Sequence, residues 1–456
     1  MRQTLPEELA KKVPVPVFTI FEKFRQTGFE IYLVGGAVRD LLLNREIHDA
    51  DFTTNARPEE IQKIFPESFY DNIFGTVRLM VKTGKDEEKY EITTYRTEMG
   101  YTDKRRPDQI FWGKTLEDDL KRRELTINAM VIGPTREQPL ELVDLFGGQE
   151  DLGKKIIRAV GNPDERFSED ALRMMRAIRF ASQLGFAIEP KTFAAIQKNA
   201  KLIKFISWER IRDELLGILA SDFPSDGITL LYSACLLEYI LPELIPAYGV
   251  AQAKHHIYDV WTHSLMSLKS TPSQDPLVRL ATLIHDIGKP VVAKGIGEAR
   301  TFHNHEVVGA HLAEKIARRL KFSKKDEEKL VTLVRRHQFT VDERQTDAAI
   351  RRFIRNVGKE NLADILALRI GDRLGGGAKE TSWRLEKFKK RLEEVQKQPF
   401  TVADIKVNGF DVMKILGLKP GPEIGKILNR LFEEVVEKKT PNEREALLKR
   451  LKEIKL

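Results

Sequence analysis

Apolar positions in the first 150 residues change their period several times, and each change predicts an element. In VFTIFEKFRQTGF, Val17 to Phe29, they recur every three or four residues, which predicts a helix that stops at Gly28. IYLV, Ile31 to Val34, predicts a short strand, the Gly35-Gly36 pair a turn, and AVRDLLL the start of a helix. HDADFTT reads as a second strand. RLMVKT and EKYEITTY alternate as paired strands around the turn Gly84-Lys85-Asp86. GYTDKRRPDQIFW, Gly100 to Trp112, is polar and charged and reads as a mobile loop, and DLFGGQEDLGKK closes the region with a glycine-marked connection.

From Ile157 to about Leu244 the period is helical, as in EDALRMMRAIRFASQLGF and WERIRDELLGILASD. A second helical stretch follows with HHIYDVWTHSL, LIHDIGKP, FHNHEVVGAH and VRRHQF, and eight of the nine histidines lie between His255 and His337. After GDRLGGGAKE come the charged helix SWRLEKFKKRLEEVQKQ and a segment containing VNGFDVMKILGLKPGPEIGKIL. The pattern therefore predicts an α+β chain: a small head with a mixed, largely antiparallel sheet over residues 1–150, then helical regions over 151–245, 246–376 and 377–456. There are no internal repeats and no low-complexity tracts.

Composition adds little to this picture. With 456 residues and 41% hydrophobic content the chain can bury several cores. Lys and Arg number 76 against 68 Asp and Glu, a net charge of +8 that suits a phosphate-rich partner without requiring one. Cys235 is the only cysteine, which excludes a disulfide framework and a CxxC metal site. No apolar window approaches the ~18 residues of a membrane span, and the N-terminus lacks a signal core, so the expected location is the cytoplasm.

Candidate chemistry changes the picture more. Residues two apart on a strand face the same side, so Asp49 and Asp51 are expected to present two carboxylates together. Their repulsion is relieved by Mg2+, whose preferred ligands are carboxylate and phosphate oxygens. The Gly35-Gly36 pair lets backbone amides approach phosphate closely at a helix start, and Arg39 stands in the first turns of that helix. Glu91 offers a third carboxylate on a strand able to pair beside the first two, and three carboxylates can hold two metals. Taken singly, a glycine pair and a DxD are common turn and strand-end patterns; their combined order and spacing makes them a candidate site.

This stretch resembles the tRNA nucleotidyltransferase and poly(A) polymerase family of the polymerase β superfamily, whose signature is a strand, GGAVRD and then DxD. KRRELTINAM, Lys121 to Met130, is similar to the family's RRDxTIN block, FSEDALRMMRAIRFASQLGF to its EDxxR helix, and VNGFDVMKILGLKPGPEIGKIL to its C-terminal RNA-contacting segment. Glu124 departs from the family's usual Asp; the acid is kept but lengthened, which can displace a contact to the substrate's sugar or to a neighbouring arginine.

The resemblance implies template-independent addition or repair of the 3′-terminal CCA of tRNA from CTP and ATP, with Asp49, Asp51 and Glu91 as catalytic carboxylates. Gly35, Gly36, Arg39, Arg123, Asp170, Arg173, Arg176 and Arg179 are then the nucleotide-binding residues. Asp170 and Arg173, three apart on one expected helix face, are implied to select the base. An Asp acceptor beside an Arg donor suits the edges of cytosine and adenine and leaves guanine and uracil unpaired. The length of the loop from Gly100 to Trp112 argues against addition of CC alone. An A-adding enzyme and a poly(A) polymerase share the same residues and stay open as alternatives.

His263, His285-Asp286 and Asp372 resemble the H…HD…D pattern of HD phosphohydrolases, with His305 and His337 as accessory histidines. The pattern implies a site for Ni2+, Mn2+, Fe2+ or Zn2+, acting as a phosphatase or 2′,3′-cyclic phosphodiesterase. A chain that is chiefly such a hydrolase, with a head that only binds RNA, is the alternative of another class. Lys and Arg of LEKFKKRL and LKPGPEIGKIL are expected either to grip the tRNA backbone or to form a solvated face.

Overall fold

The computed structural model describes all residues except 48, 71–74, 84–85, 100–108, 114, 136–139, 253–256, 343, 397–401, 437–438 and 455–456. The chain divides into two compact units, residues 1–245 with 319–321 and residues 246–318 with 322–456. Among the described residues no helix is long and apolar enough to cross a membrane.

Among the described residues, ten strands build the head of the first unit: β1 Arg2–Thr4, β2 Ile31–Val34, β3 Asp51–Thr54, β4 Phe69–Tyr70, β5 Thr76–Thr83, β6 Asp86–Thr94, β7 Arg96–Met99, β8 Gln109–Trp112, β9 Met130–Gly133 and β10 Glu141–Asp144. Eight of them form one sheet in the order β1-β10-β9-β2-β3-β6-β5-β4. Every neighbouring pair is antiparallel except β3 and β6, which run parallel. This is the mixed, antiparallel-dominated sheet that the alternation predicts.

The helix Val15–Arg25 buries Val17, Ile20, Phe21 and Phe24, a three-and-four spacing that lines one face. Phe21 meets Phe52 of β3 edge-on at 5.8 Å between centroids, so this helix covers the central strands. The helix Gly36–Leu42 leaves the end of β2 directly after Gly35, whose φ of 78° and ψ of −133° only glycine adopts without strain.

Two expectations about this unit need correction. HDADFTT is a strand only from Asp51 onward. β2 ends at Val34, the partner of Asp51, and Gly35 then turns the chain away, so on that side Asp49 has no strand to pair with. The segment expected as a loop is in part a strand: β8 pairs antiparallel with β7, with Arg96 opposite Trp112. Ile110, Phe111 and Trp112 are the β-branched and aromatic residues that favour a pleated ladder. Residues 100–108 of that loop, and Gly84 and Lys85 of the β5–β6 turn, lie outside the described residues.

The rest of the first unit is largely helical, with one short parallel ladder that pairs Ile156–Ile157 with Ala187–Ile188. The helix Leu172–Leu184 packs against Trp208–Leu219 and Pro224–Ser233 and stops at Gly185 in the left-handed conformation.

Helices dominate the second unit. Val260–Ser270 lies against Leu362–Gly375, and Pro276–Ile284 packs on Lys324–Arg336 and Leu362–Gly375. A Cβ on Gly371 would fall 2.8 Å from the Ser267 carbonyl oxygen, and one on Gly375 would fall 2.5 Å from the Ser267 amide nitrogen. Glycine at these two positions therefore sets how closely the helices approach, and Asp372 and His263 are carried together by that approach. Near the C-terminus, Val407, Val412, Leu431, Leu447 and Leu451 build a separate cluster.

Candidate functional site

Register places two of the three head carboxylates side by side. Asp51 is paired with Val34 of β2 on one side and directly with Glu91 of β6 on the other. Asp49 and Asp51 are both exposed and flank the buried Ala50, so they share a face although Asp49 precedes the strand. Dehydration by the surrounding protein raises the Asp51 pKa, the neighbouring charges of Glu91 and Asp49 add to the rise, and Arg123 opposes it. Burial also works against ionised Glu91, but bonds from Lys89 at 2.7 Å and Arg78 at 3.1 Å outweigh it and hold its pKa below the usual carboxylate value. The cluster is short of positive charge at Asp51, which is the condition that favours a divalent cation.

The glycine turn and the KRRELTIN block meet at this place. A Cβ on Gly35 would lie 3.6 Å from Nη1 of Arg123, and one on Gly36 would lie 3.5 Å from Nη2 of Arg39. Arg123 is held by Asp119, which also accepts from Arg122 at 3.0 and 2.5 Å and from Thr53 at 3.1 Å. Asp119 is fully buried; burial alone would raise its pKa, yet Arg122 and Arg123 hold it below the ordinary value. Arg39 is already paired, donating to both carboxylate oxygens of Asp40 at 2.9 and 2.8 Å and to Oδ1 of Asn128 at 2.9 Å. Asp40, Asp119 and Asn128 went unassigned in the sequence because each acts through an arginine rather than directly.

The expected pairing of Asp170 with Arg173 is not what forms. Asp170 lies between the helices Pro163–Glu169 and Leu172–Leu184 in extended conformation, so the two residues do not share a helix face. One Asp170 oxygen accepts from the amide of Leu172 at 3.0 Å, a local turn bond that short acidic side chains favour over a helix interior. The other accepts from Nη2 of Arg210 at 2.8 Å, and Arg173 turns back to Glu169 at 2.8 Å. Arg210 lies in WERIRDEL, where nothing local marks it as the partner of Asp170.

Farther along, Arg176 makes a bidentate pair with Glu124 at 2.6 and 2.9 Å, and Nε of Arg179 lies 2.8 Å from Glu214. Glu124 thus meets a neighbouring arginine despite its extra methylene. Burial would raise the Glu124 pKa, but Arg176 lowers it below the usual value. Arg173, Arg176 and Arg179 are each ion-paired with a carboxylate, and the Phe180 ring lies 4.7 Å from the Arg179 guanidinium.

In the second unit the histidines converge from five helices or helix ends. His263 is on Val260–Ser270, His285 follows Pro276–Ile284, His305 opens His305–Arg319, His337 ends Lys324–Arg336, and Asp372 lies on Leu362–Gly375. All four histidines and Asp286 are buried. Nε2 of His263 and His285 stand 3.5 and 3.3 Å from Oδ2 of Asp286, and Nε2 of His305 and His337 stand 3.2 and 3.7 Å from Oδ1. Asp372 Oδ1 joins the first group, 3.2 Å from His263. Asp286 therefore contributes one oxygen to each of two ligand triads.

The donor set fits a divalent transition ion. Nδ1 of His285, His305 and His337 donates to the carbonyls of Thr282, Phe302 and Val334 at 2.7, 2.8 and 2.7 Å. This fixes the ring proton on Nδ1 and turns the Nε2 lone pairs inward. Burial works against a charged His285, but Asp286 and Asp372 outweigh it and push its pKa up to about 10. Burial and the repulsion of His285 push His337 down to about 3. The cluster attracts positive charge at His285, where a bound cation would take the place of the proton, and keeps His337 neutral, the form that ligates a metal. Lys289, buried with Nζ 2.6 Å from Asp286 Oδ2, is a further member that the sequence reading left aside in LIHDIGKP.

Likeness to known proteins extends along nearly the whole chain. Residues 31–158 match the Poly A polymerase head domain, residues 185–248 a probable RNA and SrmB-binding site of polymerase A, and residues 306–451 the tRNA nucleotidyltransferase domain 2. A CCA-adding enzyme of Ligilactobacillus salivarius is 35% identical over 463 residues, covering 99% of this chain and 98% of the relative. One from Lactococcus lactis is 35% identical over 457 residues with the same coverage. A crystal structure of the Bacillus stearothermophilus CCA-adding enzyme in complex with CTP shares the fold with a TM-score of 0.71 at 29% identity, covering 96% of both chains. On full-length likeness to these relatives, the chain belongs to the poly(A) polymerase and CCA-adding enzyme family of nucleotidyltransferases.

Proposed function

We infer that this chain adds or repairs the 3′-terminal CCA of tRNA, using CTP and ATP. The observation that carries this reading is the register of β3 with β6, which sets Asp51 beside Glu91, while Val34, the partner of Asp51 on its other side, leads into Gly35 and its neighbour Arg123. Asp49 and Asp51 hold Mg2+, which when bound neutralises charge on the nucleotide's phosphates. Arg123, carried on Asp119, and the backbone at Gly35-Gly36 orient the triphosphate. Glu91, kept ionised by Lys89 and Arg78, stands ready to accept the proton of the RNA 3′-hydroxyl. Full-length relatives that carry the name CCA-adding enzyme favour CCA over A alone or poly(A).

The test is incubation with tRNA ending before CCA and with CTP, ATP or both. Two C residues and one A are expected when both nucleotides are present. Incorporation of A with no C under that condition would sink the assignment.

Base selection is placed at Asp170, oriented by Arg210. A carboxylate oxygen has two lone pairs, so Asp170 can accept from an exocyclic amino group while keeping its bond to Arg210. Asp170→Ala is expected to lower the preference for C and A over G and U by about 10- to 100-fold, the worth of one to two lost hydrogen bonds. Unchanged discrimination moves selection elsewhere.

A second reading applies to the other unit. The two buried triads sharing Asp286 favour an HD-type phosphohydrolase centre, holding Ni2+, Mn2+, Fe2+ or Zn2+ through His263, His285, Asp286 and Asp372, with His305 and His337 able to take a second ion. Phosphomonoesters and 2′,3′-cyclic phosphates at a damaged RNA end are its substrate class.

A further inference from the structure

Arg369 precedes Asp372 by three residues on the helix Leu362–Gly375, so the two side chains emerge on one face. Its Nη1 donates to Asp372 Oδ2 at 3.1 Å. The other oxygen of that carboxylate, Oδ1, faces His263 at 3.2 Å and His285 at 3.6 Å. Asp372 is thus divided between a guanidinium on one side and the histidine cluster on the other.

The guanidinium is itself held by aromatic packing. Its central carbon lies 5.6 Å from the centroid of the Phe339 ring. Phe339 in turn packs against Phe353 at 4.8 Å and Phe388 at 5.6 Å, so the platform under the arginine is set by three rings. Nε of Arg369 is buried and makes no hydrogen bond among the described residues. A residue kept only to fill space over Phe339 would not need to carry that buried, unsatisfied donor, and an apolar side chain would fill it without loss.

Resting on the reading of the histidine cluster as a metal centre, we propose that Arg369 is a positioning residue for it: the guanidinium fixes the Asp372 carboxylate so that Oδ1 is presented to the cation. Ligating carboxylates held by such outer contacts lose about 10- to 100-fold in metal affinity when the contact is removed.

The experiment measures Mn2+ binding by calorimetry on the full chain. Arg369→Met keeps the apolar stem on Phe339 and removes every donor; Arg369→Lys keeps one charged donor. The expected result is affinity about 10- to 100-fold weaker in Arg369→Met and partly restored in Arg369→Lys. CTP incorporation into tRNA should be unchanged in both, which reports that the first unit is folded, and an unchanged thermal unfolding curve reports the same of the second. Equal Mn2+ affinity in Arg369→Met and the unmodified protein overturns the positioning role. Failure of the unmodified protein to bind Mn2+ overturns the metal-centre reading and this role with it. Where Arg369→Met does not fold, Arg369→Lys decides: weaker binding supports the role and unchanged binding overturns it.

Discussion

Asp49→Ala is expected to lower incorporation of CTP and ATP into tRNA by about 10³-fold or more, while Mn2+ binding in the histidine unit stays as it was. A metal-holding carboxylate contributes several kcal/mol to transition-state stabilisation, and each 1.36 kcal/mol is a factor of ten in rate. The loss should be large because the cluster has no spare acid: Glu91 is engaged by Lys89 and Arg78, and Asp51 already has its ionised form disfavoured by burial and by its neighbours. Stability should change little, since Asp49 is exposed and precedes the strand. Single-turnover incorporation with saturating nucleotide checks the prediction. Near-normal rates in Asp49→Ala would show that the catalytic carboxylates have been misassigned.

His285→Ala should act in the opposite sense. It removes one of the nitrogen donors grouped with Asp286 Oδ2 around the proposed metal, so hydrolysis of a phosphomonoester or 2′,3′-cyclic phosphate is expected to fall by about 10³-fold or more, with CCA addition retained. His285 and Asp286 are buried together, and the variant removes a ring nitrogen that stands 3.3 Å from Asp286 and 3.6 Å from Asp372, so melting should also shift downward. Retained CCA addition then shows that the first unit remains folded.

The sign of the pH effect follows from the raised His285 pKa. Below the ordinary histidine value the proton that His285 gains on folding stabilises the metal-free chain in full, and this contribution fades as pH rises through about 10. A metal must displace that proton, so apparent Mn2+ affinity should rise with pH over the same window. Affinity that falls with pH would contradict ligation through His285.

Elements and motifs that depend on neighbours in the chain were legible from residue order. The strand IYLV, the turn at Gly35-Gly36 and the helix beginning AVRD follow from local period and from glycine's access to positive φ. The paired strands RLMVKT and EKYEITTY follow from alternation. The acids of DAD and the histidines of LIHDIGKP were visible as candidate ligands because their chemistry is carried by one or two adjacent residues.

What residue order left open was which distant groups meet. Asp170 and Arg173 suggested a pair by spacing, yet Asp170 caps a turn and bonds to Arg210, forty positions away, because the helix starts two residues later than the period implies. Arg39, Arg176 and Arg179 read as nucleotide contacts with no protein partner named; folding brings Glu124 to Arg176, Glu214 to Arg179 and the Phe180 ring beside Arg39. Residue order by itself determined the inventory: a carboxylate pair behind a glycine turn, an EDxxR segment and an H…HD…D set with two further histidines. Only the tertiary structure decided that Asp51 stands beside Glu91, that Arg123 rests on a buried Asp119, and that Asp286 divides its two oxygens between two histidine pairs. Spacing along a strand or helix is set by backbone geometry and can be counted, whereas contact between elements depends on strand register and on how closely helices approach, as Gly371 and Gly375 allow here.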